Sequence, residues 1–140
     1  MRRPRPVAGA AGVAVFILIA LVVASLVGAG SASMAAPSVT VRNGVRIHTD
    51  IPGPNRYLAG AGPDLFIFTP GGGHNSIDGF NPAEDRIELR GFDRYRTFAD
   101  IFPRIWSSPQ GLFVGLNDRA SIRVTGTHKG DLTSRNVIVR

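Results

Sequence analysis

The residues best placed to do chemistry lie in Ala59-Gly60-Ala61-Gly62-Pro63-Asp64-Leu65-Phe66-Ile67. Closely spaced glycines allow a tight turn that directs backbone carbonyls inward, and Asp64 adds a carboxylate beside them. The Leu65-Phe66-Ile67 half reads as a short strand that sends Phe66 into a core. Oxygen donors of this kind suit Ca²⁺, which takes six to eight oxygen ligands at about 2.3–2.6 Å. A second unit follows in phase, from Gly71-Gly72-Gly73 to Asn75-Ser76-Ile77. There Asn75 stands where the aspartate belongs, so the site loses a formal charge. Affinity for Ca²⁺ follows ligand charge, and the expected ligand set of Gly60, Gly62, Asp64, Gly71, Gly73 and Asn75 therefore predicts weak calcium binding.

The segments around these turns are short and β-like. Val39-Thr40-Val41-Arg42 and Val45-Arg46-Ile47-His48 alternate apolar and polar residues around Asn43-Gly44, the signature of a type I′ hairpin. Asp50 to Asn55 reads as a loop. Asp85-Arg86-Ile87-Glu88-Leu89 reads as a strand with Ile87 and Leu89 on one face. Thr97-Phe98-Ala99-Asp100 has capping-box spacing and opens one short helix, which Pro103 stops. Arg104-Ile105-Trp106 and Leu112 to Leu116 flank a turn at Ser108-Pro109-Gln110-Gly111, and Ser121 to Val124 and Asn136 to Val139 close the chain as strands. Many short strands with glycine-rich turns predict an all-β domain.

Asp64 to Phe68, the glycine turn, Asn81-Pro82-Ala83-Glu84-Asp85-Arg86-Ile87-Glu88-Leu89 and Gly91-Phe92 resemble, in order, the C-terminal region of serralysin-type metalloproteases and related repeats-in-toxin secreted proteins. The likeness runs from Tyr57 to Val139. It implies short calcium-type parallel β-roll turns running into an antiparallel β cap with one short helix. The chain departs from the pattern in having one good repeat and one degraded repeat, and in being slightly basic. The resemblance carries no protease. His48, His74 and His128 are scattered, with no H-E-x-x-H, and each is expected at the surface or in a turn rather than on zinc. Glu84 and Asp85 are adjacent and point to opposite faces, so no catalytic residue and no enzyme is expected. Asp85 is expected to order the turn into the Ile87 strand, and Asp78 to face solvent.

The N-terminus has the pattern of an export signal. Arg2, Arg3 and Arg5 precede an uncharged run from Val7 to Ala29, and small residues follow to Ala36. This is the order of a secretory signal peptide cleaved between Ser31 and Ala36. The run of 23 residues also exceeds the roughly 20 that span a bilayer, so retention as an anchor is the alternative. Residues 1–35 are thus read as signal, 36–56 as a hairpin and loop, and 57–140 as the β domain, secreted or periplasmic. With no cysteine in the chain, no disulfide framework or lipidated thiol is available.

Beyond the signal, 13 Lys and Arg stand against 10 Asp and Glu. That balance does not suggest nucleic acid. Four arginines, Arg86, Arg90, Arg94 and Arg96, fall close together among acids. They suggest a solvated face or, as a second function, calcium-independent binding of an acidic polysaccharide or another cell-surface polyanion. The first function expected is a calcium-binding structural or interaction module.

Overall fold

The computed structural model describes residues 37–140, so the signal reading lies outside the described residues. The described residues form one compact unit with its own core. The fold is mostly β, in two five-stranded sheets with one short α-helix. The first sheet has the order β1-β2-β4-β6-β10: Ser38–Arg42, Val45–Thr49, Asp64–Phe68, Arg86–Leu89 and Val137–Val139. The second has the order β3-β5-β9-β8-β7: Arg56–Leu58, His74–Asp78, Ala120–Val124, Gly111–Asn117 and Ile105–Ser108.

From β2 to β6 the chain passes back and forth between the sheets, and each strand pairs in parallel with the next one laid in its own sheet. The antiparallel pairs lie at the ends: β1 with β2, and the β7-β8-β9 meander. Asn43 and Gly44 take φ of 51° and 78°, the left-handed pair that a type I′ turn requires. The N-terminal hairpin is not a separate appendage, because β2 pairs with β4 at Arg46↔Asp64 through Thr49↔Ile67. The expected helix spans Phe98–Ile101 and passes into a 3₁₀ turn at Phe102–Arg104. Asp100 accepts the Thr97 N–H at 2.9 Å, and Pro103 has no N–H with which to continue the α-helix.

The core fills the space between the sheets. On the first sheet His48, Phe66, Ile87 and Val137 share one row, and on the second Tyr57, Ile77, Val124 and Leu112 do so. Phe66, Phe68, Ile77, Leu89, Leu112, Ile122 and Val124 are fully enclosed. Each such side chain contributes about 1.5–3 kcal/mol by leaving water. The first sheet begins one strand earlier than the second, so Val39 and Val41 on β1 remain exposed although they share a sheet face with His48 and Arg46.

Truncating Phe66 to Ala is expected to cost about 3–5 kcal/mol, whereas Val41→Ala should stay within about 0.5 kcal/mol. Urea denaturation of the two variants measures both; a comparable loss from each would contradict this placement of the core.

Candidate functional site

Asp64 opens β4 at the corner where the chain enters the first sheet, and its side chain points inward, 1% exposed. Four hydrogen bonds reach its two oxygens. Arg46 donates through Nε to Oδ1 at 2.8 Å and through Nη2 to Oδ2 at 2.6 Å. His48 Nε2 lies 2.8 Å from Oδ1, and the Gly60 N–H donates to Oδ2 at 3.0 Å. Burial alone would push this carboxyl up, but the bonds from Arg46, His48 and Gly60 outweigh it and hold the pKa below the ordinary aspartate value. The Arg46 guanidinium lies directly against Gly60, in the space a Cβ would need. Gly60 therefore serves by giving room to an arginine while its amide points at the carboxylate.

The next rung carries Asp85, which is also buried. It accepts the Asp64 N–H at 2.9 Å and the Asn81 N–H at 2.8 Å, and so orders the Asn81–Glu84 turn into β6 as expected. Burial raises its pKa, only partly offset by those two amides. Two carboxylates thus lie on adjacent rungs, and Arg46 feels the charge of both.

At the opposite corner Asn75 is buried and works as a structural amide. Its Oδ1 accepts the Asn55 N–H at 2.9 Å, while its Nδ2 donates to the Gly72 carbonyl at 3.2 Å and to Asp50 Oδ1 at 3.3 Å. Asp50 also accepts the Tyr57 hydroxyl at 2.9 Å and the Thr69 N–H at 3.3 Å. Burial pushes the Asp50 carboxyl up despite these bonds, and burial together with the Asp50 contact pushes the Tyr57 phenol up. Gly62 and Gly73 adopt φ of 85° and 77° in their turns; Gly71 has open space around it.

The six residues expected as ligands of one or a few calcium ions are divided between two corners, Gly60, Gly62 and Asp64 at one and Gly71, Gly73 and Asn75 at the other. Among the described residues no group of three or more His, Cys, Asp or Glu is placed to hold a metal ion. The donor set at Asp64 does not fit Ca²⁺, because both carboxylate oxygens already accept bonds and a guanidinium and an amide N–H occupy the approach.

Two expectations about single residues need correction. His48 is buried, stacked on Phe66 with ring centroids 4.4 Å apart, rather than placed at the surface. Asp78 is not left to solvent: Thr125 Oγ1 donates to it at 2.6 Å and Arg56 pairs with it, and these contacts lower its pKa. The four arginines differ in their surroundings. Arg86 and Arg90 lie on β6 and just after it, but Arg90 donates twice to Glu88 Oε1, at 2.9 and 2.6 Å, and Glu88 is itself buried. Arg94 and Arg96 are exposed in the turn between β6 and the helix.

Arg46 and His48 are the site residues that a local reading misses. Alternation along Val45-Arg46-Ile47-His48 suggests that the apolar pair faces inward, yet β2 carries Arg46 and His48 inward. The available signal is the facing register, which sets Arg46 against Asp64. Comparison with protein-family models and with curated proteins finds no match to this chain.

The pKa directions fix a pH signature. Asp64 is depressed in the folded state, so its stabilising contribution is complete above the unfolded value and is lost as pH falls through the folded one. Asp50 and Asp85 are raised, so their ionisation subtracts stability as pH rises through their folded values. Asp64→Asn should be less stable than the parent at pH 7, and the gap should shrink below about pH 4, where unfolded aspartate takes up its proton. Urea melts from pH 7 to pH 2 test this; a constant gap would contradict it.

Proposed function

We propose that this chain is an exported, non-catalytic structural and interaction module, a short roll of the calcium type running into an antiparallel cap, in which Arg46 takes the position that the family resemblance gives to calcium. The observation that supports this reading is the buried Asp64 carboxylate, held by Arg46 through two bonds and by His48 and the Gly60 amide through one each. A calcium-type turn uses a cation to gather an aspartate and the carbonyls of a glycine turn. Here a guanidinium fixed on the neighbouring strand performs the neutralisation, and its planar fork matches the carboxylate.

Calcium loading at the same turn is the competing reading. It would require Ca²⁺ to displace the guanidinium and turn aside an amide hydrogen. The absence of catalysis is supported by the fate of the polar side chains. Asp64, Asp85, Asp50 and Asn75 are all taken up in hydrogen bonds within the fold, His74 lies on β5, and His128 precedes the 3₁₀ turn at Lys129–Asp131. Polyanion binding through Arg86 and Arg90 gains little, because Glu88 lies between them on the same strand and pairs with Arg90.

The test is the melting temperature of residues 34–140 in millimolar Ca²⁺ and in chelator. The parent should melt at the same temperature in both, and Arg46→Met should melt lower in both. A ligand at 100 times its Kd adds about 2.7 kcal/mol, worth several degrees in a domain of this size. A calcium-dependent rise of that order, abolished by Asp64→Ala, would establish the calcium-loaded module instead.

A further inference from the structure

The outer face of the second sheet carries a row of aromatic, basic and hydroxyl side chains. Register places Trp106, Phe113, Arg123, Ser76 and Arg56 side by side on β7, β8, β9, β5 and β3. Four inter-strand steps of about 4.8 Å make the row roughly 19 Å long. At one end Trp106 is 49% exposed, and its ring runs nearly parallel to Phe113, 9° apart with centroids separated by 5.6 Å. A Cβ added at Gly115 would come within 3.2 Å of the indole, so the missing side chain gives the indole room to lie close to the sheet.

Beyond the aromatic pair is a shallow cavity of about 400 Å³. Its wall includes Phe113, Arg123, Arg56, His74, Ser76 and Ser121, and no carboxylate lines it. His74 Nδ1 and Ser121 Oγ are 2.9 Å apart, which leaves the other ring nitrogen of His74 available to a ligand. Asp78, on the same face, is already engaged by Arg56 and Thr125. Among the described residues no ion pair engages Arg123, and the nearby Asp78 carboxylate feels its charge without bonding to it.

We infer that this face binds a carboxylated polysaccharide segment, with a uronate carboxylate on Arg123 and a neighbouring sugar ring against Trp106 and Phe113. Charge selects the occupant: a guanidinium that makes no ion pair, in a cavity whose lining holds no carboxylate, favours an anion, and its fork can donate two hydrogen bonds to a carboxylate. The aromatic pair offers an apolar plane to the C–H face of a pyranose. Ser76, Ser121 and His74 supply hydroxyl and imidazole partners for sugar hydroxyls. This face is separate from the Asp64 corner, so the inference stands whether or not that corner binds calcium.

Affinity electrophoresis of residues 34–140 in gels containing polygalacturonate, in chelator and at low salt, tests it. The parent chain should be retarded, and methyl-esterified polygalacturonate, which keeps the rings and loses the charge, should retard it far less. Arg123→Ala and Trp106→Ala should each weaken retardation about tenfold, the loss expected for one charge-assisted or stacking contact. Arg86→Ala, on β6 of the first sheet, should leave it unchanged. No retardation by polygalacturonate would overturn the inference. So would retardation insensitive to Arg123→Ala, loss on Arg86→Ala instead, or equal retention by single-stranded DNA.

Discussion

A buried carboxylate must find partners, and the need to satisfy Asp64 organises the entry to the first sheet. An ionised group taken out of water costs several kcal/mol unless it is paired and hydrogen-bonded. Asp64 has a bidentate arginine and an imidazole, both from β2, and a backbone amide from the turn before β4. The arginine and histidine fix β2 against β4 in a single register, since a one-residue slip would turn both side chains out of the core. The Gly60 amide fixes the preceding turn. Asp64 then passes its own N–H to Asp85, so the same corner also sets the turn into β6.

The opposite corner solves a similar problem with neutral groups. Asp50 is buried, and a phenol, an amide side chain and a backbone N–H surround it. Without a cation nearby, its carboxyl is pushed up rather than held down. Asn55 and Asn75 occupy matching positions on successive turns of the second sheet, linked through the Asn75 carbonyl. One corner is therefore ionic and the other amide-based, although both have glycine-rich turns in the sequence.

Much of the fold was legible locally. Asn43-Gly44, the alternation through Ile87 and Leu89, the Thr97-to-Asp100 spacing and Pro103 each act within a few residues, and the structure carries a hairpin, a strand and a short helix at those places. The mostly β class followed from the same signals. β3 was not legible, because three residues between turns carry too little periodicity. The inward orientation of Arg46 and His48 was hidden for a different reason: it depends on pairing with a strand 18 residues away in sequence. Asp64 and Asn75 were expected as calcium ligands; both are buried, and their hydrogen-bond partners include residues outside the nine-residue segment in which each stands.

On the function proposed above, the Arg46 guanidinium closes the corner where a calcium-type turn would hold a metal ion. The side-chain resonances of Arg46 report this most directly. In ¹⁵N-labelled residues 34–140, the Arg46 Nε–H should exchange slowly with water and lie well away from the exposed arginines, because it donates to a buried carboxylate. Its position should be the same in chelator and in millimolar Ca²⁺. An Arg46 resonance that exchanges like those of the exposed arginines, or one that moves to their position when calcium is added, would show that the guanidinium does not hold this corner.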